Sequence, residues 1–427
     1  MKNVFVRRLI KTRFNQLTTP HEDWSMNPTN RVTKTALETW LKPVFSKKFL
    51  KKCTLEIVGT SSKGDGYLGD VNFVEVNGRT STNEEKFYNL AIKSSKNSLP
   101  LRKMMPIEVM SQNEIYFYNR VLPTFVEFQE EKGIEEPFNQ APKYYDSVIL
   151  QNMEVLILEN MKRNGYCLHD RTKPMNREHI RKVMQTYGKY HAVSFALRDQ
   201  KPDVFKALGE GLRDVMKTTD AEAVLKEFRF FVELHKIAKE KIQPELAEKL
   251  TEVPLTADST DPDDPFAVIV HGDCETNNFL FKYEDDQKTT VTDVCFLDFQ
   301  FSRLTSPICD LSYFLFSCIS EEDIEHFDEI NNLYYKSLSD YLKKLGSDPN
   351  KVFPFDAFTN QWRQFGKLGL RMMFPAIKNS LLEQEEIFDL AEMVESGREI
   401  KYSERTVERC SKRIFPIIQL AIEKKIL

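Results

Sequence analysis

The feature that most restricts this chain is an apolar strand that breaks off to present polar groups and then resumes, Val268-Ile-Val-His-Gly-Asp-Cys-Glu-Thr-Asn-Asn-Phe-Leu-Phe281. A β-run of this kind gives way to His271, Asp273 and Asn278 only where polar groups are wanted at the end of a buried strand. Further along, Val294-Cys-Phe-Leu-Asp-Phe-Gln300 again ends an apolar run on a carboxylate, Asp298. Two carboxylates and a carboxamide thereby stand at strand ends, in a loop over 271–278 and a motif over 298–300.

Transfer of a phosphoryl group from a nucleotide needs such a set. It takes a carboxylate near the acceptor hydroxyl, an amide oxygen and a second carboxylate on Mg²⁺, and a lysine on the phosphates. Magnesium is a hard cation that prefers oxygen ligands. On this reading Asp273 is the catalytic base, Asn278 and Asp298 are the metal ligands, and Lys93, at the end of a β-run over 88–93, contacts the phosphates. Glu114 lies in the middle of a helix expected over 108–122, where its carboxylate can hold the lysine ammonium in an ion pair. ATP and Mg²⁺ are the cofactors implied.

The order of elements fits two lobes. A helical pattern over 35–50, which Pro43 is expected to kink or divide, precedes β-runs over 53–58 and 71–76. Between these runs lies a glycine-bearing loop over 59–69. Its Gly64 and Gly66 fit no Walker pattern, and the loop reads either as a cover for phosphates or as a plain hairpin turn. Two more β-runs, 147–151 and 155–158, lead to Glu159-Asn160-Met161. Helices are expected over 177–197 and 221–242, then an acidic, proline-bearing connector over 258–265, and helices again after Asp310. The divisions read from this are a basic extension over 1–34, a small lobe of sheet and helix over 35–160 with a hinge at 159–161, and a helical lobe over 162–427. Helices expected just before the catalytic strand would wall off a pocket, which favours a small molecule over a protein as acceptor. His169, His179 and His191 read as core or surface histidines, and Met372 and Met373 as part of a packing face.

Composition narrows the setting. The formal charge of −4 gives no prior for nucleic acid, and no apolar run approaches the roughly 18–20 residues of a membrane span. Seven scattered cysteines form no C-x-x-C pair, so a disulfide framework or structural zinc is not expected and a reducing, cytoplasmic setting is. Basic and apolar residues interleave from Lys2 to Phe14, a pattern shared by a plain basic extension, a transit peptide and a membrane-surface helix.

His271-Gly-Asp273 with Asn278, followed by Leu297-Asp298-Phe299, resembles the signature of choline kinases and aminoglycoside phosphotransferases, relatives of the protein kinases. Asn113-Glu-Ile-Tyr-Phe-Tyr118, Leu156-Ile-Leu-Glu-Asn160, Gly188-Lys-Tyr-His-Ala-Val-Ser194, and Ser306-Pro307 with Asp310-Leu-Ser-Tyr-Phe314 narrow the resemblance to the ecdysteroid kinase-like family, over about 37–345. The resemblance implies an α+β, two-lobe protein-kinase-like fold with a small antiparallel-sheet lobe and a larger, mostly helical one. It implies that Glu159, Asn160 and Met161 lie beside the adenine, that Asp310 braces the catalytic loop, and that His271 is a structural hydrogen-bonder. It also implies a steroid-like or xenobiotic alcohol as acceptor. Glu159-Asn160 stands where many relatives have an acidic pair, and Cys274-Glu275 where Leu-Trp is common, which touches acceptor preference.

Two rival readings are a kinase of choline, ethanolamine or another small alcohol, and a kinase-like binding protein without turnover. The second would be marked by loss of the lysine, the base or the metal carboxylate, and this chain keeps all three. Oligomeric state and the acceptor hydroxyl stay open.

Overall fold

Valine, isoleucine and aromatic residues alternating with polar ones favour pleated strands, and five such runs pair here into an antiparallel sheet. They are β1 (Leu50–Thr60), β2 (Gly69–Thr80), β3 (Glu85–Ser95), β4 (Tyr144–Leu150) and β5 (Met153–Glu159), in the spatial order β1-β2-β3-β5-β4. The computed structural model describes residues 32–47, 50–61, 66–218, 264–397 and 401–427. The basic segment 1–31, Gly64, the helix expected over 221–242 and most of the acidic connector lie outside the described residues. Helix α1 (Lys34–Lys47) belongs to one unit, ending at Lys47, and residues 48–427 form another. Of the two expected effects of Pro43, a kink or a division, the division does not occur: Pro43 lies inside α1.

The register of the sheet decides which side chains reach its inner face. Val71 lies opposite Lys93 and Phe73 opposite Ala91, so with a two-residue repeat Val71, Phe73, Ala91, Lys93 and Ser95 share the face that lines a cavity. Leu90, Ile92, Val74 and Val76 point the other way and are buried.

After β3 the chain makes α2 (Leu99–Met104) and α3 (Ile107–Tyr116), then a single π turn, Phe117–Val121, then α4 (Leu122–Glu131). The helix expected over 108–122 is thus interrupted. The extra residue per turn lets Phe117 stack flat on Phe299 at 3.7 Å, which fastens the turn following Glu114 to the residue following Asp298.

The remainder is mostly helical: α5 (Arg177–Gln200), α6 (Pro202–Gly211), α7 (Ile308–Cys318), α8 (Phe327–Lys344), α9 (Phe355–Leu381), α10 (Leu390–Ser396) and α11 (Glu404–Glu423). Short strands are set among them. β7 (Val268–Ile269) pairs with β10 (Leu304–Thr305), and β6 (Tyr166–Leu168) joins the hairpin of β8 (Phe279–Tyr283) and β9 (Val291–Phe296). The core gathers Tyr187, Tyr190, Phe195, Phe279, Phe296 and Phe314, all essentially buried, each worth about 1.5–3 kcal/mol of apolar transfer. The antiparallel sheet followed by helices is the α+β arrangement expected.

Candidate active site

The loop 271–278 hangs between β7 and β8. Val268, Ile269 and Val270 are fully buried, and the N–H of Val270 donates to the Arg303 carbonyl at 3.0 Å, so the strand end is anchored on its β10 side. Gly272 then turns with φ +84, where an added Cβ would lie 2.3 Å from the Phe301 carbonyl oxygen; only glycine fits that approach.

Asp310, fully buried in the first turn of α7, holds the loop from below. Its Oδ2 accepts from the His271 N–H at 2.7 Å and from His191 Nε2 at 3.1 Å, and its Oδ1 from the Gly272 N–H at 2.8 Å and Cys274 Sγ at 3.3 Å. Burial by itself would raise the carboxyl pKa, but His191 and the backbone donor outweigh it and hold it below the ordinary value. His271 uses both ring nitrogens. Nε2–H donates to the Leu297 carbonyl at 2.7 Å and Nδ1 accepts the Asp273 N–H at 3.1 Å, which assigns the neutral tautomer. Burial lowers its pKa further, so this imidazole has no free nitrogen for proton transfer.

Asp273 is 8% exposed. Its Oδ2 accepts from Gln300 Nε2 at 3.1 Å and its Oδ1 from the Tyr313 hydroxyl at 3.3 Å. Asn278 donates Nδ2–H to the Asp273 carbonyl at 3.0 Å, and among the described residues its Oδ1 has no partner. Pairing of Phe279 with Phe296 sets Asn278 beside Leu297, whose N–H donates to the Asn278 carbonyl at 2.9 Å, so Asn278 and Asp298 stand at neighbouring ends of one hairpin. Asp298 sits at φ +65 and ψ +64, a left-handed conformation a non-glycine residue adopts at a cost.

Lys93 reaches this group from the sheet. Its Nζ lies 2.8 Å from Glu114 Oε2 and 2.6 Å from Asp298 Oδ1. Burial works against the ammonium, but Asp298 and Glu114 together outweigh it, and the lysine holds its proton more tightly than usual. The acids are short of cations. Burial first, with the Asp298 charge adding to it, pushes Glu114 and Asp273 up to about 7. Burial, Asp273 and Asp298 push Glu275 up to about 8, with Arg171 opposing. Glu154, on the same wall, is already paired with Arg102 at 2.8 Å.

Lys93, Glu114, Glu154, Asp273, Glu275, Asn278, Asp298, Gln300 and Tyr313 line one cavity of about 410 Å³. Glu159, Asn160 and Met161 line it too, where β5 passes into a short turn capped by Asn160 Oδ1 on the Lys162 N–H. So does Gly66. Lys93, Glu114, Asp273, Asn278, Asp298 and the 159–161 segment are thus brought together. His271 and Asp310 sit beneath the loop. Gln300, the last residue of the 298–300 motif, and Tyr313 are partners of Asp273 to which sequence reasoning assigned no separate role, although Tyr313 stands three residues after Asp310, on the same helix face. Cys274 is a packed thiol, bonded by the Tyr187 hydroxyl at 3.0 Å, and Met372 lines the cavity while Met373 is in the core.

The ecdysteroid kinase-like family matches residues 63–347, well over half of the sequence, a range that includes Lys93, Glu114, Asp273, Asn278, Asp298 and Asp310. The chain belongs to the ecdysteroid kinase-like family. Comparison with curated proteins gives no match. Among solved structures, a mutant aminoglycoside 2′-phosphotransferase in complex with GDP is similar with a TM-score of 0.41 and 12% identity, over 92% of this chain and 97% of that one. Among the described residues of this ecdysteroid kinase-like protein no helix is long and apolar enough to cross a membrane.

Proposed function

We propose that the chain transfers the γ-phosphoryl group of ATP, with Mg²⁺, to a hydroxyl of a lipophilic small molecule, a steroid-like or xenobiotic alcohol. The observation that carries this reading is the meeting of the Lys93 ammonium with Glu114 and Asp298 on the cavity that also holds Asp273. The donor set fits magnesium: the free Oδ1 of Asn278 and the Asp298 carboxylate are hard oxygens, set among acids with too few cations. Among the described residues no three His, Cys, Asp or Glu side chains form a metal cage, which suits an ion that takes most of its ligands from phosphates and water. Bound there, Mg²⁺ supplies charge neutralisation on the transferred phosphoryl group.

In this reading Lys93, steadied by Glu114, aims its ammonium at the phosphates. Gln300 and Tyr313 fix the Asp273 carboxylate, which orients the acceptor hydroxyl and takes its proton as the oxygen attacks in line. Glu159, Asn160 and Met161 form the hinge beside the adenine, between a small lobe ending near 160 and a helical lobe from 162. A volume of about 410 Å³ with Phe301, Met372, Pro375 and Phe388 on its wall supports a small apolar acceptor over a protein.

Asp273→Ala is expected to cut ADP release, across a panel of hydroxysteroids, glycosides and amino alcohols, by about a thousandfold. ATP binding measured by calorimetry should stay within about twofold, because the lost carboxylate faces the acceptor. Near-normal turnover in this variant would overturn the base assignment.

A further inference from the structure

Helix α9 brings one more charge to the same cavity. Arg371 is 8% exposed and lines the cavity, and among the described residues its guanidinium makes no hydrogen bond and no ion pair, with Nη1 fully buried and unpartnered. The charge that bears on it is of like sign, that of Arg303. A buried lysine in this position could shed its proton, but a guanidinium cannot, so its desolvation is relieved only by an anionic or strongly polar oxygen brought to it. Asn379, two helical turns further on, also lines the cavity, and its buried Oδ1 has no partner among the described residues.

The place of Arg371 relative to the reacting groups follows from the packing of α9 on α7. Gly369 lies so close to Ser312 that a Cβ would meet its carbonyl carbon at 2.3 Å, and the next residue, Tyr313, donates to Asp273. Arg371 and Tyr313 thus line, from α9 and α7, the cavity that holds Asp273, while Lys93 reaches it from the sheet. The apolar side chains of Met372 and Pro375 flank it on the same wall.

We propose that Arg371 anchors the acceptor through a carboxylate, so that the preferred substrate is a lipophilic hydroxy acid with its hydroxyl at Asp273 and its acid group at the guanidinium. This rests on the phosphotransferase reading above. The cavity is polarised to enforce that orientation: the carboxylates of Asp273 and Asp298 disfavour an acid group at the reacting end, and Arg371 attracts it. Without a partner among the described residues, the guanidinium is a cost to the fold that substrate binding removes.

The test uses the full chain and two matched pairs of probes. One pair is a long-chain ω-hydroxy fatty acid and the corresponding α,ω-diol; the other is cholate and the neutral alcohol made by reducing its acid group. ADP release should favour the acid in at least one pair by about tenfold or more in KM. Arg371→Met should abolish that preference, raising KM for the acid by about tenfold with a smaller change in kcat, and should leave KM for the neutral partner in place. The ligand-free variant should melt at the same temperature as the parent or higher, since an unpaired buried charge is replaced by an apolar side chain of similar length. Neutral probes used as well as or better than acids in both pairs, a lowered melting temperature, or equal losses on acid and neutral probes would each overturn the anchor. Melting shifts with ATP and Mg²⁺, recorded on both proteins, separate the two levels: no shift in either defeats the phosphotransferase reading itself, whereas a shift without acid preference defeats the anchor alone.

Discussion

A buried carboxylate persists only where donors replace its water, and Asp310 has four of them: two backbone N–H groups, a histidine and a thiol. Asp310→Ala leaves the N–H groups of His271 and Gly272 without an acceptor inside the protein. A loss of about 3–5 kcal/mol in unfolding free energy is expected, measured by urea denaturation; an unchanged midpoint would end the bracing role given to this residue. At this scale much of the site was legible. Asp273, Asn278 and Asp298 end apolar runs, and Lys93 and Glu114 follow the strand and helix periods, so pattern alone assigned their elements. Glu275 was visible only as a departure from a family pattern. Arg371 was missed because it lies in the apolar stretch of α9 and far along the chain from the loop it faces; its one signal was a charge at a position whose neighbours Leu370 and Met373 are fully buried.

Among elements, the joint between α5 and β8 carries a pH dependence. Asn176 caps α5 with its side-chain oxygen on the His179 N–H and also accepts His179 Nδ1–H at 2.6 Å, while His179 Nε2 accepts from the Tyr283 hydroxyl at 2.7 Å. Burial, with His169 adding to it, depresses the His179 pKa from 6.5 to about 4. A depressed histidine contributes stability that is present above its unfolded value and is lost as pH falls through 6.5 towards 4. Acidification from pH 7 to 4 should therefore cost about 2–3 kcal/mol through this group. His179→Gln should flatten the curve of melting temperature against pH over that interval; parallel curves for parent and variant would remove the assignment. Element type was readable from sequence here, since α5 and β8 follow the expected periods. Boundaries were less so: β4 spans Tyr144–Leu150 against the 147–151 expected, because tyrosines that open a strand carry no alternation of their own. The π turn at Phe117–Val121 was invisible because its cause is a partner, Phe299, far away in sequence.

For residues 48–427 taken as a whole, the least readable feature is the return of the chain to the sheet after α9. The segment before α10 packs Phe388 against Tyr67 with ring centres 5.2 Å apart and the rings tilted, and Asp389 meets Lys96 at 2.7 Å across 293 residues of sequence. Ala391 packs with Leu101 and Ile107. Periodicity foresees helices after Asp310, but a short helix that crosses back leaves no pattern, since contacts so distant in sequence are set by the tertiary fold. This strap closes the cavity wall beside the glycine loop, with Phe388 and Leu390 on its lining. Asp389 also caps α10, accepting from the N–H groups of Ala391 and Glu392. Asp389→Ala removes the cap and one of the two carboxylates on Lys96, leaving Asp70 at 2.8 Å. The expected loss is about 1–3 kcal/mol, and it should be local. Amide hydrogen exchange should quicken over 389–396 and 99–107 well before the core of α5 and α7, and KM for ATP should rise as the wall loosens. Exchange that quickens uniformly, or not at all, would mean that the strap is held by its apolar contacts and that Asp389 contributes little to closing the cavity.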